Sequence, residues 1–196
     1  MGNVITTGHA KEQWYDLIYQ AQQSTDHMLD EELESYLVFL LMRYTKKPEM
    51  INQVLAKDYL KGLGEKGKLR HSHLRDVGDS CLIHAGLFPE GSRRKLVSSA
   101  YFVKLGRAAY HALGSRLSQE MHAMYTRLVE TFVSLSRVLG AIRHDPNSTP
   151  VNLLDSFELW HDLGDRQSFQ KLRALSFEAI PVYTPHAGIL TPQQMN

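Results

Sequence analysis

The segment SQEMHAMYTRLVETFVSLSRVLGAIR, residues 118–143, has the clearest helical periodicity in the chain. Its apolar side chains are spaced alternately by four and three positions, which places them on one stripe of an α-helix. These residues are Met121, Tyr125, Leu128, Phe132, Leu135, Leu139 and Ile142. The pattern predicts one continuous helix of about 40 Å, which would be a long strut of a helical bundle or part of a dimer seam.

The flanking sequence has the same helical character. No charged residue separates Glu34 from Arg43, and Asp79 is the one formally charged residue between positions 77 and 88. Both runs therefore predict central helices that are buried on most sides. Alternating strand patterns bounded by Asn-Gly or Asp-Gly turns are absent from the sequence. We predict an all-α, single-domain bundle of about eight helices.

The last part of the chain has a different composition. Residues 179–196 include no Asp, Glu, Lys or Arg and three prolines, at positions 181, 185 and 192. Because proline interrupts helices, this segment cannot form a regular one. The prediction is a helical domain over residues 1–178, followed by an extended or partly disordered C-terminal arm over residues 179–196.

The amino-acid composition of the chain argues against two classes of binding partner, nucleic acids and membranes. The chain has 196 residues, 43% of them hydrophobic, and a formal net charge of +1. Such a balance gives no electrostatic basis for binding nucleic acid or an anionic membrane. Cys81 is the only cysteine, which excludes an internal disulfide and favours a reducing compartment. We therefore expect a cytoplasmic protein that binds neither nucleic acid nor membrane.

Asp79 is the most informative polar residue, because a carboxylate inside an apolar run requires a partner. Three arginines are candidate partners: Arg75, four positions away on the same helix, together with Arg43 and Arg107. Glu34 begins the other apolar run and could belong to the same network. The favoured interpretation is a structural polar network, and the alternative is a catalytic acid with a perturbed pKa.

His73 and Asp76 are three positions apart, so both can point from one helix face. With a third ligand from another helix they could hold a divalent metal. The alternative is a stretch of solvated charge. A diiron centre would need two Glu-x-x-His elements, and the chain has one, at 158–161. We predict no cofactor.

Ser92 is a predicted helix N-cap, and Arg93, Arg94 and Lys95 follow it directly. Cations at a helix N-terminus oppose the helix dipole, which suggests an anion or an acidic partner at this turn. The alternative is three solvated side chains. Cys81 is predicted to be a small core residue, since a nucleophile would need His84 or His73 to activate it.

Two stretches carry a resemblance to known proteins. They are DVGDSCLIHAGLFP at 76–89 and YFVKLGRAAY at 101–110. Together they resemble an all-helical family of bacterial proteins of unassigned function. The resemblance implies a bacterial, cytosolic, helical protein, and it implies no activity and no catalytic residues.

Two functional hypotheses follow from these patterns. The first is a non-enzymatic helical interaction or regulatory protein, which acts by protein–protein contact or as a homo-oligomer. The apolar stripe of residues 121–142 and the C-terminal arm motivate it. The second is a small-molecule- or metal-binding enzyme with a polar pocket between the central helices.

Overall fold

The computed structural model describes residues 5–52, 54–88, 98–115, 117–142, 159–161 and 163–175. All regular structure in these residues is helical, which confirms the all-α prediction. Contacts divide the chain into two compact units, residues 1–148 and 149–196. The predicted boundary at 178/179 and the C-terminal arm lie outside the described residues and remain predictions.

The first unit contains seven described α-helices. They are α1 (Ile5–Thr25), α2 (Glu31–Lys46), α3 (Leu55–Gly64), α4 (Gly67–Leu87), α5 (Ser99–Gly114), α6 (Gln119–Glu130) and α7 (Phe132–Ile142). A short 3₁₀ helix, Pro48–Asn52, precedes α3. Pro48 therefore begins a 3₁₀ turn, and α3 begins separately at Leu55.

Helix α4 is the central element of this unit. Every residue from 77 to 84 is buried, so neighbours surround the helix on all sides, as predicted. It packs against α3, α5, α7 and the 3₁₀ helix. The close approach of α4, α5 and α7 depends on Gly106, because a Cβ there would lie 2.5 Å from Phe132 Cζ and 2.8 Å from Cys81 Cβ.

The predicted continuous helix over 118–143 is two helices, α6 and α7, which meet at Thr131. The Thr131 hydroxyl donates to the Arg127 carbonyl at 2.6 Å. Such back-bonding competes with the helical hydrogen-bond ladder and bends helices. Five of the seven stripe residues face the core, since Tyr125, Leu128, Phe132, Leu135 and Leu139 are buried, whereas Met121 is 41% exposed. The five buried residues therefore do not need a dimer seam for burial.

The starts of α2 and α5 follow the capping rules. The Asp30 side chain accepts the Leu33 N–H at 2.9 Å and caps α2, whose first turn is rich in glutamate. Ser98, whose side chain accepts the Tyr101 N–H, caps α5. The predicted helix start at Ser92 lies outside the described residues.

Buried Arg70, on α4, satisfies carbonyl groups at the ends of two other helices. It donates to the Leu63 carbonyl of α3 at 2.8 Å and to the Ala112 carbonyl of α5 at 3.2 Å, so these hydrogen bonds connect both helix ends to α4.

The second unit contains helix α8 (Arg166–Leu175) among its described residues. Gly164 has a φ of +67° and ends the preceding helical turn. Its N–H donates to the Trp160 carbonyl at 2.8 Å, while the Asp165 N–H donates to the Leu159 carbonyl at 3.3 Å. Asp165 then caps α8 by accepting the Ser168 N–H at 2.7 Å.

Candidate functional site

The buried carboxylate of Asp79, on α4, contacts three side chains from two other helices, α2 and α5. Its Oδ1 accepts hydrogen bonds from the hydroxyls of Tyr110, at 2.7 Å, and Tyr36, at 2.5 Å. Its Oδ2 is in contact with the Arg43 guanidinium. The two tyrosine hydroxyls are 3.3 Å apart. Both carboxylate oxygens are therefore satisfied, as burial of a charge requires.

Local sequence explains how these side chains converge. Tyr36 and Arg43 are seven positions apart on α2, which is about two turns and places them on the same helix face. Tyr110 lies on α5 and packs against Gly78, directly before Asp79. A Cβ at Gly78 would clash with the Tyr110 ring, so glycine is needed for this approach.

Burial dominates the electrostatics of this network. It raises the pKa of Asp79, while Arg43 and the two tyrosine hydroxyls lower it by a smaller total amount. Burial also raises the pKa of Tyr36 and Tyr110 well above 10.0, and the nearby Asp79 charge raises both further. Desolvation lowers the Arg43 pKa, but Asp79 and Asp76 together raise it above the usual value.

Arg43 connects this network to an open cleft. Its Nη1 lies 3.2 Å from Asp76 Oδ1, and its side chain is 26% exposed. The cleft has a volume of about 320 Å³ and is bounded by the end of α2, the 3₁₀ helix and α4. Its lining residues are Arg43, Lys47, Glu49, Met50, Ser72, Arg75 and Asp76. Asp79 is not among these residues, because it lies behind Arg43.

Among the described residues, the structure gives no direct contact between Asp79 and the other residues predicted for its network, which are Arg75, Glu34 and Arg107. Arg75 Nε lies 3.9 Å from Asp76 Oδ1 on the cleft side, and its charge lowers the Asp79 pKa only as a minor contribution. Glu34 lies in the first turn of α2, where burial and then Glu31 raise its pKa. Arg107, on α5, is not among the described hydrogen-bond or ion-pair partners of Asp79.

The predicted metal ligands His73 and Asp76 both line a second cleft of about 270 Å³. His73 Nδ1 lies 2.9 Å from Glu65 Oε2, and Asp76 is engaged by Arg43. Within the described ranges, no group of three or more His, Cys, Asp or Glu residues is arranged to hold a metal ion. The third ligand that the metal hypothesis requires is therefore not supplied by this part of the chain.

The predicted anion site lies outside the described residues, so it remains a prediction. It consists of Ser92, Arg93, Arg94 and Lys95.

Cys81 is fully buried, and burial raises the pKa of its thiol. A buried, protonated thiol is typical of a core residue rather than a nucleophile. This agrees with the sequence interpretation.

A surface feature that sequence analysis missed lies on α1 and α2. Tyr15 and Ser35 are hydrogen-bonded at 2.8 Å, and Lys11 Nζ lies 5.4 Å from the centre of the Phe39 ring. Phe39 is 57% exposed and Tyr19 is 56% exposed. We name this surface the α1–α2 face. It consists of Lys11, Tyr15, Tyr19, Glu31, Ser35 and Phe39.

Two spacings could have revealed this face. Lys11, Tyr15 and Tyr19 recur every four residues on α1, and Glu31, Ser35 and Phe39 do so on α2. Residues at this spacing share one side of a helix. The sequence instead predicts that α2 is buried on most sides, because Phe39 stands within an uncharged apolar run.

No family model, curated protein or solved structure matches the chain. In the part of the chain that the structure describes, no helix has the length and apolar character needed to cross a membrane.

Proposed function

We propose that this protein is a non-enzymatic helical interaction or regulatory protein that acts by protein–protein contact through the α1–α2 face. The observation that carries the proposal is the exposure of two aromatic side chains, Phe39 at 57% and Tyr19 at 56%, on neighbouring helices. Burial of one such side chain contributes about 1.5–3 kcal/mol. A partner that covers both would gain a substantial part of the binding energy it needs.

The chemistry of the face suits a protein partner. Aromatic residues are enriched at protein interfaces and often supply most of the binding energy. Lys11 lies 5.6 Å from the centre of the Tyr15 ring and 5.4 Å from that of Phe39, so a cation accompanies the aromatic surface. The face therefore combines apolar area with polar groups that can fix orientation.

The Asp79 network gives independent support, because it is unsuited to acid–base catalysis. A general acid or base must reach the proton that it transfers, directly or through one water. Both oxygens of Asp79 are bonded to protein groups, and its side chain is only 4% exposed. The raised pKa of Asp79 is thus explained by its burial in the core of the first unit.

The test uses the full chain with a photo-reactive benzoylphenylalanine at position 39, irradiated in extract of the source cells. The matched control carries the same group at Leu60, an exposed apolar residue on α3. We expect a covalent protein adduct from position 39 and much less from position 60. Failure of position 39 to form any protein adduct, or equal labelling at both positions, would contradict the proposal.

The cleft beside Arg43 favours a second candidate function, the binding of a small polar molecule, as in an enzyme with a pocket between helices. Arg43, Lys47 and Arg75 supply positive charge, and Ser72 supplies a hydroxyl. Native mass spectrometry of the purified chain tests this candidate. A bound mass that disappears in Arg75→Ala would support it, whereas the bare polypeptide mass would argue against it.

A further inference from the structure

We draw no further inference here: the strongest candidate, the cleft beside Arg43 at the end of α2, belongs to the site already described, and the acids among its lining residues, together with Asp79 behind it, balance its cations, so that its charge selects no class of ligand.

Discussion

Asp79 is held by two hydroxyls and one guanidinium, so its replacement should affect stability strongly. In Asp79→Asn the shape is kept, but Arg43 loses a buried counter-charge. Removing one partner of a buried pair costs about 3 kcal/mol or more in the free energy of unfolding. Urea unfolding followed by circular dichroism measures the loss.

The matched control for that substitution is Asp76→Asn. Asp76 also contacts Arg43, but its side chain is 35% exposed, so its loss should cost less than about 1 kcal/mol. A larger effect at Asp76 than at Asp79 would show that the cleft, and not the buried network, is the main stabilising contact of Arg43.

Tyr36 and Tyr110 should make the protein sensitive to alkali. Burial raises the pKa of both phenols well above 10.0, so the folded state keeps two protons that the unfolded state releases near pH 10. Their contribution to stability is complete below pH 10 and is lost as pH rises through the folded pKa values. Each should lower the free energy of unfolding by about 1.4 kcal/mol per pH unit within this window.

Absorbance at 295 nm, which reports ionised tyrosine, and urea unfolding between pH 9 and 11.5 check this expectation. Tyr36→Phe and Tyr110→Phe each remove one titrating proton. Each should therefore reduce the slope of the free energy of unfolding against pH by about 1.4 kcal/mol per pH unit, whatever its effect at neutral pH. Full ionisation of all tyrosines at pH 10.5 with the helices intact would be incompatible with the buried network.

Among the helices, the contact between α4, α5 and α7 is the one most sensitive to added volume. In Gly106→Ala the new methyl group would collide with the Phe132 ring and the Cys81 side chain. Overpacking of this kind costs about 1–3 kcal/mol. Gly64→Ala is the control, because no atom lies within 4 Å of a Cβ there and alanine favours helix.

Thermal unfolding of the two alanine variants makes the comparison direct. Gly106→Ala should melt several degrees below the original chain, while Gly64→Ala should melt at or above its temperature. Equal melting temperatures would mean that α4, α5 and α7 can separate at little cost.

The helices could be predicted because their periodicity is local, whereas the Asp79 contacts depend on tertiary packing. The burial of Asp79 followed from its place in an apolar run. Its local neighbour Arg75, however, is 47% exposed, and the counter-charge comes instead from Arg43 on another helix. Tyr36 and Tyr110 resemble ordinary core residues in sequence, because only the fold shows where a hydroxyl points. The interruption of the helix at Thr131 could not be predicted either, since the apolar stripe continues across it without a change of spacing.

For the molecule as a whole, the division into two units predicts that residues 1–148 can fold alone. This unit contains the fully buried side chains of α2, α4, α5 and α7, with Leu41, Leu82, Tyr110 and Phe132 among them. It is also within the size range in which single domains unfold cooperatively. A chain ending at Ser148 should therefore keep its helical circular dichroism and unfold in one transition.

The same fragment locates the proposed interaction surface. Tyr19 and Phe39 both belong to the first unit, so the fragment with benzoylphenylalanine at position 39 should form the same covalent protein adduct as the full chain, and Tyr19→Asp should reduce that adduct in both. Gel electrophoresis of the irradiated samples gives the comparison. If the fragment unfolds in one transition but forms no adduct while the full chain does, the α1–α2 face is insufficient for the proposed contact.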